Sequence, residues 1–347
     1  MKKNIVFLSI FLLVGANPAM GFDNGGTALT RCGTLSPSPE VAAEVYDTLQ
    51  AFLAGGEMQV AKTVVIPVAF HVVRHDNGSA DVTDQQINDQ LDVLNAAYGY
   101  AGYQFTLHGI DRTDNTAWST HSPDSSKERQ MKKALAISPE CTLNFYINDL
   151  GDGLLGYAYY PYSYDEDHFI HGVVVLYSSL PGGDAYPYDE GDTGTHEVGH
   201  YLGLHHTFEN GCSAPGDEVG DTPYEASPAF GCPVGRDTCQ SAGEDPIFNF
   251  MDYTYDACMN EFTSGQAERM DAMVQLYKPT LWAGCNVQPL STLKIEAPTD
   301  SGKLIIKAKP NKGWKFKEWA GDCKGKKKTV VKMNKDQLCT AVFEKKN

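Results

Sequence analysis

Residues His196 to His206 read HEVGHYLGLHH and follow Asp192 and Thr193. Either of those two residues is of a helix-capping type, so the run predicts a helix that carries His196 and His200 at i and i+4 on one face, imidazoles converging. Gly203 is placed to end that helix in a left-handed turn, which returns His206 as a third imidazole. Three protein ligands with the fourth position left to water are the pattern of a catalytic rather than a structural zinc. Glu197, beside the first histidine, is then the general base that takes a proton from the water and passes it to the leaving amine. His205 reads as a neighbour, because the turn selects the residue three after Gly203. His71, His75, His108, His121, His168 and His171 read as structural histidines.

Working outward, the segment Thr63 to Arg74 (TVVIPVAFHVVR) is β-branched and apolar throughout, which predicts a strand internal to a sheet. Thr83 with Gln86 forms a capping-box pair, and Ile87, Leu91, Leu94 and Tyr98 follow at helical spacing, giving a helix packed on that sheet. Further strands are predicted at 103–110, 143–148, 156–160 and 173–178, with helices at 36–53, 126–136 and 265–277. The order predicts an α+β unit with a mixed sheet of about five strands. Between Gly211 and Glu261 the chain turns to Gly, Pro, Asp and Cys with little periodicity, a stretch that needs cross-links or ions to hold it. From Leu290 alternating apolar residues return between Gly and Asn turns, predicting a small all-β module.

The chain has 347 residues, 42% hydrophobic and 21% charged, enough for two domains and incompatible with wholesale disorder. Its net charge of −16 argues against a nucleic-acid partner engaged through the bulk of the surface. The charge is uneven: the last sixty residues, from Gln288, hold fifteen lysines against six acidic residues. The N-terminus has two lysines, an apolar run from Ile5 to Val14, and small residues that suit cleavage after Gly21 or after Ala16. That is the layout of a secretory signal peptide and too short for a membrane span, so the protein is expected to be secreted. Four segments follow: signal peptide 1–21, prosegment 22–61, catalytic domain 62–287 and basic β module 288–347. Export makes disulfides the default for nine cysteines, and the odd number leaves one thiol for another task.

HExxHxxGxxH followed by Asn249–Tyr253 (NFMDY) resembles the metzincin pattern with its Met turn. Within that group HGVVVLYSSLPGG, THEVGHYLGLHHTFENGC, GDEVGDTP and NFMDYTYDACMNEFTSGQAERM are similar to the pappalysin family of secreted zinc endopeptidases. The resemblance runs through roughly residues 60 to 285. It implies a twisted mixed sheet, a backing helix, an active-site helix and an irregular C-terminal subdomain. It implies Met251 beneath the zinc site and Tyr253 close to it, where its hydroxyl either stabilises the oxyanion or only packs. Arg31–Thr34 (RCGT) is similar to the cysteine switch of latent metzincins, in which the Cys32 thiolate takes the fourth zinc position; the alternative for Cys32 is a disulfide. The family implies the disulfides Cys212–Cys239 and Cys232–Cys258; Cys323–Cys339 would staple the tail, which leaves Cys141 with Cys285. Calcium is implied at the acidic loop, with Asp217, Val219, Asp221 and Thr222 as ligands.

Leu155–Tyr159 (LGYAY) looks like the family's upper-rim strand, whose edge takes up an extended peptide substrate by strand addition. For the residue after the cut, Met259 and Glu261 leave apolar and basic preferences both open. The tail resembles a bacterial repeat module, and its run Lys324, Lys326, Lys327, Lys328 is either a solvated face or a polyanion-binding patch. The competing function is a surface-binding or adhesive protein whose metalloprotease-like domain no longer hydrolyses.

Overall fold

The computed structural model describes residues 30–56, 58 and 63–285, and in the tail 291–295, 303–307, 314–321, 324–326, 328–332 and 337–345. The signal peptide and Cys323 therefore lie outside the described residues, and with Cys323 the expected Cys323–Cys339 pair.

The apolar run seen in the sequence forms β1 (Val64–Arg74), and its period of two sorts its side chains onto two faces. Val64, Ile66, Val68, Phe70 and Val72 point into one core, shared with Leu94 and Tyr98 of α2 (Asp84–Tyr98); Val73 points into the other. Burying each such side chain contributes roughly 1.5–3 kcal/mol relative to exposure. The capping box of Thr83 and Gln86 is formed at the start of α2. After α2 the chain enters β2 (Tyr103–Asp114), which runs four residues past the expected end because its far half stays paired with β1 beyond a register shift at Val68/Ala69. A one-turn α3 (Thr116–Ser119) and α4 (Ser126–Leu135) lead to β3 (Leu143–Asn148). There follow β4 (Gly156–Ala158) and β5 (Val173–Leu176), both shorter than expected.

The sheet order is β2-β1-β3-β5-β4, parallel except for β4, which runs antiparallel to β5 at the edge. That edge is covered by the chain's own N-terminal segment. Thr30 N–H donates to Gly153 O at 2.8 Å, Leu155 N–H to Thr30 O at 3.0 Å, and Gly33 N–H to Gly156 O at 2.8 Å. The segment then forms α1 (Pro39–Gly55), capped by Ser38. Helix α5 (Asp192–Tyr201) lies under β4 and β5, and after the long irregular stretch come α6 (Ser264–Tyr277) and α7 (Pro279–Ala283).

Disulfides join Cys212 to Cys239 and Cys232 to Cys258 within the irregular stretch, and Cys141 ahead of β3 to Cys285 after α7. Cys32 is free and buried. In the tail β6 (Ser291–Ile295), β10 (Gln337–Lys345) and β8 (Trp314–Gly321) form one antiparallel sheet, and β7 (Lys303–Lys307) pairs with β9 (Lys328–Lys332). Among the described residues no helix is long and apolar enough to cross a membrane.

Candidate active site

Helix α5 is buried along its whole length. Contrary to the sequence expectation, neither Asp192 nor Thr193 caps it. The cap position is Gly191 in a left-handed conformation (φ 100°), and the free N–H groups at this end are taken by a remote carboxylate: Asp256 accepts from Glu190 at 3.0 Å and from Asp192 at 3.4 Å. A Cβ at Gly191 would stand 3.0 Å from Pro181 and 3.1 Å from Gln90, so the entry to the helix has no room for a capping side chain.

His196 and His200 converge as their spacing demands, with Nε2 atoms 3.2 Å apart. The helix stops at Tyr201, Gly203 turns with φ 104°, and His206 comes back so that its Nε2 lies 3.1 Å from that of His200. His196 Nδ1 donates to Phe250 O at 2.7 Å and His200 Nδ1 to Leu204 O at 2.8 Å. Those bonds hold the proton on Nδ1 and leave the Nε2 lone pairs facing one another, an arrangement that a cation stabilises. Burial holds all three imidazoles below their usual protonation range, His200 at about 4, which favours the neutral, metal-binding form. Cys32 Sγ completes the set, 3.6 Å from His200 Nε2, and the four donor atoms lie within 4.8 Å of one another. Three imidazole nitrogens and one sulfur suit tetrahedral zinc. This is the only such cluster of His, Cys, Asp and Glu side chains among the described residues.

Glu197 is fully buried beside the cluster. Its Oε2 accepts from Thr34 Oγ1 at 3.0 Å and lies 3.6 Å from Cys32 Sγ, while Oε1 has no hydrogen-bond partner. Burial raises its carboxyl to about 8. Met251 sits against the helix at Gly199, where a Cβ would fall 2.4 Å from Sδ. Tyr253 Oη is 3.2 Å from His206 Nε2. His205 turns away from the cluster toward Tyr160 and Glu218.

Residues that the sequence reading passed over complete the site. Arg31 is buried between Thr193, to whose hydroxyl it donates, Asp256 at 3.6 Å, Met259 Sδ at 3.6 Å and the ring of Tyr188 at 4.8 Å. Asp256, not Glu261, is the acid of this pocket; the Glu261 side chain is exposed, and its backbone pairs with Phe248 and Phe250. The available signal was its place three residues after Tyr253, on the chain leaving the Met turn. Of the acidic loop, Asp221 accepts from Gly265 N at 2.9 Å at the start of α6, and Asp217 accepts from Val219 N at 3.1 Å. Asp217 Oδ2 and Thr222 Oγ1 are buried without hydrogen-bond partners.

Residues 127–275 match the family model of pregnancy-associated plasma protein-A, peptidase M43, and residues 295–347 that of the divergent InlB B-repeat domain. An extracellular metalloprotease of Sordaria macrospora is 43% identical over 281 residues, which are 78% of this chain and 97% of that one. Another, from Neurospora crassa, is 45% identical over 257 residues, 71% and 88% of the two chains. The structure of a Tannerella forsythia promirolysin mutant superposes with a TM-score of 0.62 at 30% identity, covering 72% of this chain and 96% of that one. Mature mirolysin with a cleaved peptide does so with 0.53 at 34%, covering 63% and 98%.

Proposed function

Because the chain belongs to the peptidase M43 (pregnancy-associated plasma protein-A) family and is a metalloendopeptidase, we propose that it is secreted as a latent precursor and cuts extended peptides ahead of basic residues. The observation that carries this is the convergence of His196, His200 and His206 with Cys32, beside a Glu197 whose second oxygen Thr34 engages. The three histidines would hold the catalytic zinc, which supplies Lewis acidity toward water and toward the scissile carbonyl.

Everything else is done by the chain. Glu197 Oε1, free of protein partners, accepts a proton from the attacking water as its oxygen bonds to the carbonyl carbon, and returns that proton to the amine nitrogen as the C–N bond breaks. Tyr253 Oη donates to the oxygen that gains charge. The backbone groups at Gly156–Ala158 that now receive Gly33 and Thr34 are those an extended substrate would use. Arg31 marks where the side chain after the scissile bond goes, and Asp256 with Thr193 makes that pocket one for a guanidinium or ammonium.

In the precursor, residues 22–61 form the prosegment, and the Cys32 thiolate takes the position that water needs. The apolar N-terminus serves as the signal peptide, in keeping with relatives named as extracellular. Calcium is assigned to the acidic loop on the buried, unpartnered oxygens of Asp217 and Thr222; thermal unfolding with and without a calcium-selective chelator tests it, and an unchanged midpoint removes it.

The deciding experiment digests a peptide library with the precursor, the trimmed enzyme, Glu197→Ala and a zinc-chelated sample, with metal content measured on each. Cleavage by the trimmed enzyme alone, at one zinc per chain, is expected. A precursor as active as the trimmed form would sink the latency, and hydrolysis surviving in Glu197→Ala would sink the role of that residue.

A further inference from the structure

The N-terminal segment holds on at two places. One is the site itself, through Arg31, Cys32 and Thr34. The other is the face of α6 made by Ala272, Met273, Leu276 and Tyr277, onto which α1 lays Val45, Leu49 and Phe52. These are positions i, i+4 and i+7 of α1, one stripe of the helix, and Val45 and Leu49 are only 6% and 2% exposed. The Tyr277 hydroxyl comes up to Thr48 on the same contact. Tyr46 and Gln50 extend it to the acidic loop, where they line one cavity with Val219 and Thr222. The contact lies behind the catalytic turn, since Met273 packs on Gly203. Between the two anchors the chain from Leu35 to Ser38 carries little of the contact, and Leu35 is 70% exposed.

We propose that this face of α6 is a docking surface for α1 that outlasts cutting of the chain, so that a prosegment released on the far side of α1 stays bound in trans. Full activation then requires a second cut between the anchors. The inference rests on the latency proposed above. Two modest contacts on one short tether reinforce each other by about 10²–10⁴-fold through effective concentration, and a cut beyond α1 leaves both on one fragment. A cut within Leu35–Ser38 separates them, leaving α1 on the enzyme and the switch residues on a short peptide with one anchor.

Two full-length precursors test this, each loaded with zinc and each carrying an inserted recognition sequence for an exogenous protease, one after Ser36 and one after Gly56. After complete cutting, size-exclusion chromatography reports whether the N-terminal fragment stays with the enzyme, and peptide hydrolysis is followed on dilution. The fragment cut after Gly56 is expected to co-elute and to suppress activity until diluted; the fragment cut after Ser36 is expected to separate, with activity at least about 10²-fold higher at equal concentration. Leu49→Asp in the precursor cut after Gly56 should convert its behaviour to that of the precursor cut after Ser36. Leu276→Asp makes the same test from the α6 side should the first variant fail to fold. Equal release and equal activity from both cuts, with the uncut precursors silent, would overturn the docking surface and leave latency standing. Uncut precursors as active as the cut ones would overturn both.

Discussion

Asp256 shows how one buried carboxylate serves two masters. Its Oδ2 accepts the N–H groups at the start of α5, which fixes the helix that carries His196, and its Oδ1 faces Arg31. Burial and the nearby Glu190 carboxylate push its proton affinity up, and the Arg31 guanidinium with the N–H groups of Glu190 and Asp192 pulls it back. A basic substrate side chain would take over that compensation when Arg31 leaves. Asp256→Asn keeps the shape and an oxygen for the helix end but removes the charge. A charge-assisted hydrogen bond is worth about 1.5–3 kcal/mol, so the preference for Arg over Leu after the cut should fall roughly 10- to 100-fold. The check is kcat/KM for a matched pair of peptides, and a ratio equal to that of the unaltered enzyme would remove Asp256 from the pocket.

Elements position these residues by close approach. Gly156 of β4 lies against Glu197: a Cβ there would stand 2.9 Å from Glu197 Cγ and 3.0 Å from Val174 O. Backbone cannot yield, so Gly156→Ala should displace the carboxylate and lower kcat by up to about 10²-fold with zinc content unchanged; steady-state kinetics beside metal analysis decides it. At the junction of α6 and α7, burial lowers the Lys278 amine to about 7 from its ordinary 10.5, an effect Glu166 and Glu140 only partly offset. Between those two values the unfolded chain binds a proton that the folded chain does not, so this residue makes stability rise with pH across the window, and its penalty is complete below about 7. Each unit of the depression is worth about 1.4 kcal/mol. Lys278→Met should therefore stabilise the protein at pH 6 and gain little near pH 10 in denaturant unfolding; equal gains at both would refute the account.

What could be read beforehand was local. The i, i+4 histidines, the glycine turn and the capping box of α2 depend on neighbours within a few residues, and the strands of the sheet follow from runs of β-branched residues. What could not be read was set by distant partners. The cap of α5 comes from Asp256, sixty-four residues on, and the far half of β2 is held by pairing with β1. Arg31 finds its pocket only once the N-terminal segment lies on the edge of β4.

At the scale of the whole molecule the charge is divided against itself. The chain carries a net −16, yet its last sixty residues hold fifteen lysines against six acidic residues, and Lys315, Lys317, Lys324, Lys326 and Lys328 are exposed where the strands are described. A polyanionic surface is repelled by the acidic body at long range and attracted by the tail at short range. The Debye length of about 10 Å at 0.1 M salt lets the local attraction prevail wherever the tail can approach alone. Binding of this kind releases counterions and so weakens steeply with salt. The intact protein should therefore be held on immobilised heparin at about 50 mM salt and largely released by about 200 mM. Replacing Lys324, Lys326, Lys327 and Lys328 by Ala should abolish retention while leaving cleavage of a soluble peptide untouched. Retention that ignores salt, or that survives those replacements, would mean that the lysine run is only a solvated face of the module.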